Sequence, residues 1–422
     1  MKNFKKLLAL GLVSAMTLAT VACGSTTTGT TTSDSTASES TAEESTASES
    51  TAEETVEVSE DGTGIKIGGI GPTTGGAAIY GVAVMNGAQI AVDEINAAGG
   101  INGMEIEFNF QDDEHDAEKS VNAYNSLKDW GMQVLLGTVT SAPCTAVAAE
   151  AANDGYFMLT PSGSSTDIID GRTNVFQVCF TDPNQGIGSA QYVGDNALAA
   201  SVAVIYDSSD IYSSGIYEKF ATEAGNQPFE IVAAEAFTAD SKTDFTVQLQ
   251  KAKDAGAELV FLPIYATEAA LILTQAAAMD YYPTFFGCDG LDGILSVEGF
   301  DTTLAEGVIL LTPFVADATD ESTVSFVTTY EELYGETPNQ FAADAYDGIY
   351  IIKAAIEATG ATADMSAADM GALLIDAMTT ISVDGLTGVG MTWSASGEVA
   401  KEPKAMEIQN GAYVTFEYYS EK

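Results

Sequence analysis

IKIGGIGPTTGGAAIYGVAVMNGAQIAVDEINAAGGINGMEIEFNFQDD, residues 65–113, decides the fold. It opens on IKIGGIG, an apolar run ending in glycines, which reads as a buried strand. Residues 80–98 follow as an amphipathic helix, with apolar or small residues at Val84, Ala88, Ala91, Val92 and Ile95. Gly99 and Gly100 end it, as residues free to adopt left-handed backbone do. MEIEFNFQDD then alternates polar and apolar residues, the pattern of a second strand. Strand, helix and strand in this order make a parallel crossover unit.

The same alternation continues downstream. Residues 117–130 read as a helix, QVLLGT as a buried strand and residues 143–153 as a helix, before the strands FMLTP and VFQVCF. The pattern then restarts. Helices at 183–200, 212–224, 244–254 and 267–279 interleave with SVAVIYD, EIVAAEAFT, LVFLPIY and TFFGCDG. After GVILLTPF the chain turns mostly helical (322–334, 341–358 and 366–378) and closes on strand-like GVGMTWSAS and KAMEIQNGAYVTFEYY. The expectation is an α/β protein of two doubly wound, Rossmann-like lobes, each a parallel sheet covered on both faces.

Ligands of such sheets sit beyond the carboxyl ends of the strands. The segments to watch are therefore residues 72–80, 138–141, 161–165 and 207–212, Tyr265, and residues 288–289. They are rich in Ser, Thr, Tyr and Gly and poor in catalytic residue types. Hydroxyls and backbone N–H groups at helix starts suit a carboxylate. Tyrosines suit an ammonium or an apolar side chain.

Upstream, MKNFKKLLALGLVSAMTLATVAC has the layout of a secretory signal: Lys2, Lys5 and Lys6, an apolar run, small residues and Cys23. The run is too short and too interrupted for a comfortable membrane span. A cysteine at this place resembles a bacterial lipoprotein signal, which implies lipidation of Cys23. Thr20 stands where that family usually has Leu, and an ordinary cleaved signal is the alternative. Residues 24–61 carry ten acids and no base, and STASESTAEE occurs twice in tandem from Ser35 and Ser45. A stretch so poor in large apolar side chains cannot offset its ordering entropy and reads as a linker.

The formal charge of −46 argues against nucleic acid and against direct adsorption to anionic lipid, since both need clustered Lys and Arg. Beyond Cys23 lie Cys144, Cys179 and Cys288, an odd number with no zinc spacing. They read as small buried hydrophobes, with a Cys144–Cys179 disulfide open. His115, the only histidine, lies in the polar run QDDEHDAEK and reads as a surface residue. The glycines of GGIGPTTGG do not give G-x-G-x-x-G opening into a helix, and no Walker-type loop or nucleophile elbow is present. No cofactor, no metal and no enzymatic activity is expected.

The ordered set IKIGGIGPTTG, YG, AVDEINAAGGING, QDD, LLGTVTSAPCTAVAAEAANDG, FMLTPSGSSTDI, VAVIYDSSDIYSSGIYEKF, DFTVQLQKAKDAGAELVFLPIY, FFGCDG and AEGVILLTPF is similar to the leucine/isoleucine/valine-binding protein family. The resemblance runs from Ile65 nearly to the end of the chain. It implies a type I periplasmic-binding fold serving an ABC importer, with its permease in the membrane as partner and a small amino acid as ligand. The organisation then reads as a signal peptide at 1–22 and a lipid-anchored linker at 23–61. One lobe follows from 62–181 plus 313–405 and a second from 182–312 plus 406–422, with three crossings near 181–184, 311–314 and 404–409. A monomer at the extracellular face of the membrane is expected.

Carried over by motif, GTVTSA places Ser141 on the ligand carboxylate, and TPSGS adds Ser162, Gly163 and Ser164. Tyr212 matches the ligand-contacting tyrosine of the second lobe, although YDSSDIY is one residue longer than usual and Asp210 is the alternative if the register slips. GCDG supplies Asp289 for the ammonium, and Tyr80, Tyr265 and Phe341 fall where aromatic residues line the pocket. Urea, amides and aromatic acids are ligands of other relatives. A ligand-sensing receptor subunit of the same fold is the competing role.

Overall fold

The computed structural model describes residues 64–416. The expected signal peptide, Cys23 and the whole expected linker lie outside them.

The first sheet is built from β1 (Ile65–Gly71), β2 (Ile106–Asp112), β3 (Val134–Gly137), β4 (Phe157–Thr160) and β5 (Val175–Gln177). Its order is β2-β1-β3-β4-β5 and every pairing is parallel. Its connecting helices are α1 (Ala78–Ala97), α2 (Ala117–Trp130) and α3 (Ser141–Asp154). The chain then crosses over at α4 (Asp182–Asp195). β6 (Ser201–Asp207), α5 (Ile211–Ala224), β7 (Glu230–Phe237), α6 (Thr246–Asp254), β8 (Leu259–Leu262), α7 (Ala266–Ala278), β9 (Thr284–Gly287) and β10 (Ile309–Thr312) build the second sheet. The chain returns to the first sheet with α8 (Glu321–Tyr334), α9 (Gln340–Thr359), α10 (Ala367–Met378) and the short ribbon β11 (Thr392–Trp393) and β12 (Val399–Ala400). It ends in the second sheet with β13 (Lys404–Gln409) and β14 (Ala412–Thr415), giving the order β14-β13-β10-β9-β8-β6-β7.

The central strands VLLG, FMLT, LVFL and ILLT are buried along their whole length, as strands covered on both faces must be. Helix ends follow local chemistry. Asp116 accepts from Lys119 N to cap α2, and Gly131 ends that helix in the left-handed region. At Gly87, where α1 meets α9, an added Cβ would stand 2.0 Å from the Ala342 carbonyl oxygen, so only glycine permits this approach.

Three expectations need correction. The second sheet is mixed: β13 runs antiparallel to β10, and β14 antiparallel to β13. Residues 404–409, expected as a crossing, are strand β13 itself, and the chain crosses just before it, after Ala400. The helix expected to reach residue 200 stops at Asp195, because Ala197 turns out of it with φ at +49°. Cys144, Cys179 and Cys288 are free and buried.

Candidate functional site

The loops after β3 and β4 are stitched together by side chains. Thr160 Oγ1 donates to Thr138 O at 2.6 Å and accepts from Gly163 N at 2.8 Å. Ser162 Oγ donates to Val139 O at 2.7 Å. Ser141 Oγ accepts from Ser164 N at 3.3 Å and Ser165 N at 3.2 Å. A hydroxyl has one hydrogen. That of Ser162 is committed to a carbonyl, whereas that of Ser141 is left to donate elsewhere. Ser141 also opens α3, whose N-cap Thr140 makes no side-chain cap bond, so the first-turn N–H groups and the helix dipole favour an anion here.

Across from this face, β9 ends at Gly287 and delivers Asp289 through Cys288. Tyr212, in the first turn of α5, donates to Asp289 Oδ1 at 2.6 Å and accepts from Gly290 N at 2.9 Å. Gln185 Nε2 donates to Asp289 Oδ2 at 2.9 Å. Burial raises the Asp289 carboxyl to about 6, against the opposing bonds from Tyr212 and Gln185. Asp182 and Asp210 are likewise raised by burial, Asp210 to about 6. Asp182 Oδ1 is buried with no hydrogen-bond partner among the described residues.

Tyr80 joins the two faces. Its hydroxyl donates to Gly290 O at 2.7 Å and accepts from Ala266 N at 2.7 Å. Its ring meets Phe341 edge-on at 4.7 Å and Tyr265 at 5.5 Å, and Tyr265 stacks on Tyr212 at 5.0 Å. The result is a small cavity lined by Tyr80, Val139, Thr140, Ser141, Ser162, Ser164, Tyr212, Tyr265, Asp289, Gly290 and Phe341. Among the described residues, no lysine, arginine or histidine lines it.

Eight of the nine candidate positions are thus brought to one cavity. Gly163 is not: it sits behind the site, where an added Cβ would be 2.7 Å from Cys144 Sγ. Tyr212 and not Asp210 faces the cavity. Asp210 caps α5 by accepting from Ser213 N. His115 is half-buried rather than lying at the surface. Its Nδ1 bonds Thr140 Oγ1 at 2.8 Å, and its ring meets Tyr265 edge-on at 5.5 Å. Gln185 was missed altogether, and no local motif marks it.

Two α/β lobes enclosing a small cavity with hydroxyls on one wall and a carboxylate on the other define a ligand-capturing protein of the bilobal binding class. A family profile described as periplasmic binding protein matches residues 64–412. Leu/Ile/Val-binding protein homolog 3 of Brucella melitensis is 31% identical over 304 residues, covering 72% of this chain and 81% of that protein. The branched-chain amino acid transporter substrate binding protein LivJ from Streptococcus pneumoniae, solved in complex with isoleucine, is 29% identical. It superposes with a TM-score of 0.75 over 83% of this chain and 97% of its own. A solute binding protein from R. palustris, solved in complex with benzoate, shares the fold at 22% identity and a TM-score of 0.74, over 83% of this chain and 95% of its own. The chain belongs to the periplasmic binding protein family and is a type I member, a substrate-binding protein of an ABC transporter.

Proposed function

We propose that this protein captures a branched-chain or other small amino acid for an ABC importer, held at the extracellular face of the membrane by lipid on Cys23. The observation that carries the reading is the opposed polarity of one cavity. The Ser141 hydroxyl and the start of α3 form an anion-favouring wall, and the Asp289 carboxylate faces the same space. A free amino acid carries both countercharges on one carbon. Tyr80, Tyr265 and Phe341 supply apolar surface for its side chain.

The lobes meet over the ligand, so contacts from both exist only when the cleft is shut, and binding stabilises that state. The permease then recognises the shut form. Residues 64–181 with 313–400 act as one body and residues 182–312 with 404–416 as the other, and the protein acts as a monomer. An aromatic acid suits the cavity less well, because a lone carboxylate would meet Asp289 with no basic side chain lining the space. Titration calorimetry of the proteinogenic amino acids, with isobutyrate and benzoate beside them, tests this. Tight binding of a small apolar amino acid and weak binding of both acids is expected. The reverse order would overturn it.

A further inference from the structure

His115 lies in the turn between β2 and α2, with left-handed backbone at φ +59°. Asp113 of the same turn is fully buried and holds it: Asp113 Oδ1 accepts from His115 N at 2.9 Å and Oδ2 from Ser120 Oγ at 2.6 Å. The imidazole is thereby carried to the edge of the cavity, between Thr140 of the first lobe and Tyr265 of the second. Among the described residues, its one bond to a side chain is the 2.8 Å contact between Nδ1 and Thr140 Oγ1. Thr140 lines the cavity, and its hydroxyl leaves the α3 cap unmade.

One hydrogen must lie between Nδ1 and Oγ1, and either atom can supply it. If Thr140 supplies it, the hydroxyl has only lone pairs to offer the cavity. If Nδ1 supplies it, the Thr140 O–H is released to donate. The wall has few other hydroxyl donors, because Ser162 is committed to Val139 O and the Ser164 hydroxyl faces the Asp182 carboxylate. We propose that His115 is a positioning residue for the ligand's carboxylate: with its hydrogen on Nδ1 it orients the Thr140 hydroxyl as a second donor beside Ser141. This rests on the amino-acid reading above and deepens it, since a carboxylate ligand then selects the Nδ1–H form.

The charged groups around the ring are Asp113 and Asp116 of its own turn, with Lys242 and Glu268 from the second lobe, which pair with each other at 3.0 Å. Burial lowers the His115 pKa, Asp113 opposes this and Lys242 adds to it. The ring is accordingly neutral near pH 7, where the choice of tautomer decides the direction of the bond. A carboxylate that favours Nδ1–H also favours the imidazolium, which carries the same hydrogen.

His115 is the only histidine of the chain, so one set of imidazole resonances reports on it. The test is nitrogen and carbon NMR of the full chain, labelled on histidine and carrying no histidine tag. L-Isoleucine, its binding followed by calorimetry, serves as the probe. Saturation should shift the ring toward Nδ1–H and raise its pKa. Thr140→Val should change the ligand-free tautomer balance, abolish the response to L-isoleucine and weaken binding about tenfold. Bound L-isoleucine that leaves tautomer and pKa unmoved overturns the proposal. So does a Thr140→Val protein whose ligand-free imidazole is unchanged. If Thr140→Val moves the imidazole but no amino acid binds, the functional reading is what fails, and the carboxylate half of the proposal falls with it.

Discussion

Gln185 holds Asp289 at two points: its Nε2 donates to Asp289 Oδ2 at 2.9 Å and its Oε1 accepts from Asp289 N at 3.3 Å. Gln185 sits in the first turns of α4, just past the first crossing between sheets, and Asp289 lies two residues beyond the end of β9. The amide thus fixes both the backbone and the carboxylate that faces the cavity. Gln185→Met keeps the length and removes both bonds. A hydrogen bond to a charged group contributes about 1.5–3 kcal/mol. Affinity for the best amino acid should fall about tenfold or more at pH 7, with the heat of binding read by calorimetry. Unchanged affinity would mean that Tyr212 alone suffices to hold the carboxylate.

The raised Asp289 carboxyl has consequences of opposite sign for binding and for stability. The ammonium needs the ionised form, so affinity should be full above about pH 6 and fall as pH drops through it. Stability of the ligand-free protein runs the other way. Asp210, Asp289 and Asp344 are raised to about 6 and Asp292 to about 7, chiefly by burial. A raised carboxyl binds protons more readily folded than unfolded, so its ionisation destabilises the fold at higher pH. Acidification from pH 8 to about pH 5 should therefore raise the melting temperature without ligand while weakening the ligand. Calorimetric scans across that window check both. A melting temperature that falls steadily on acidification would contradict the burial of these groups.

Charge recognition separates the two walls. Asp289→Asn removes the countercharge of the ammonium, and truncating a buried charge pair costs about 2–5 kcal/mol. Ser141→Ala leaves the α3 N–H groups in place and should cost less, about 1–3 kcal/mol. Titrated against an amino acid and its amine-lacking analogue, the parent should prefer the amino acid strongly. Asp289→Asn should lose most of that preference and Ser141→Ala should keep it. Equal binding of the amino acid by parent and Asp289→Asn would place the ammonium elsewhere.

Cys23 governs attachment in the proposed function. Cys23→Ala should release the protein into the medium or leave it unprocessed, as fractionation of cells expressing it would show. A variant that stays with membranes as the parent does would remove lipidation at Cys23.

Much of the fold and part of the site were legible because they depend on local pattern. VLLG and LVFL announce buried strands wherever they fall, and Asp116 and Gly131 bracket α2 at the residues expected from sequence. Ser141 and Asp289 follow strand ends, where a doubly wound sheet presents its ligand contacts. The failures share a different cause. Nothing in KAMEIQ states a strand direction, and its antiparallel pairing with β10 is set by the return of the chain. Ala197–Ala200 continue the small apolar pattern of α4, so its end is hidden until Ala197 is seen to turn. Gln185 acts on a residue 104 positions away, and His115 meets Tyr265 from the other lobe. Within QDDEHDAEK the histidine's sequence neighbours are nearly all polar, and only tertiary contact half-buries it.

The Tyr80 hydroxyl offers a test of closure itself. It lies on α1 of the first lobe and bonds two backbone groups of the second, Gly290 O and Ala266 N, both at 2.7 Å. Thr267 Oγ1 to Gly76 O at 2.9 Å is a further, more exposed link between the lobes. Tyr80→Phe keeps the ring against Phe341 and Tyr265 but leaves a buried carbonyl and a buried N–H unmatched in the shut state only. Each such orphan costs about 1–3 kcal/mol. In the open state water reaches both, so the shut form alone is weakened. The population ratio should move toward open by about tenfold or more, and apparent affinity should fall by the same factor. X-ray scattering gives the second reading. At saturating amino acid both proteins should show one compact radius of gyration. The concentration needed to reach it should be higher for Tyr80→Phe. If the variant closes at the same concentration as the parent, the Tyr80 hydroxyl does not latch the lobes. If neither protein changes its radius while calorimetry records binding, capture proceeds without the closure argued above.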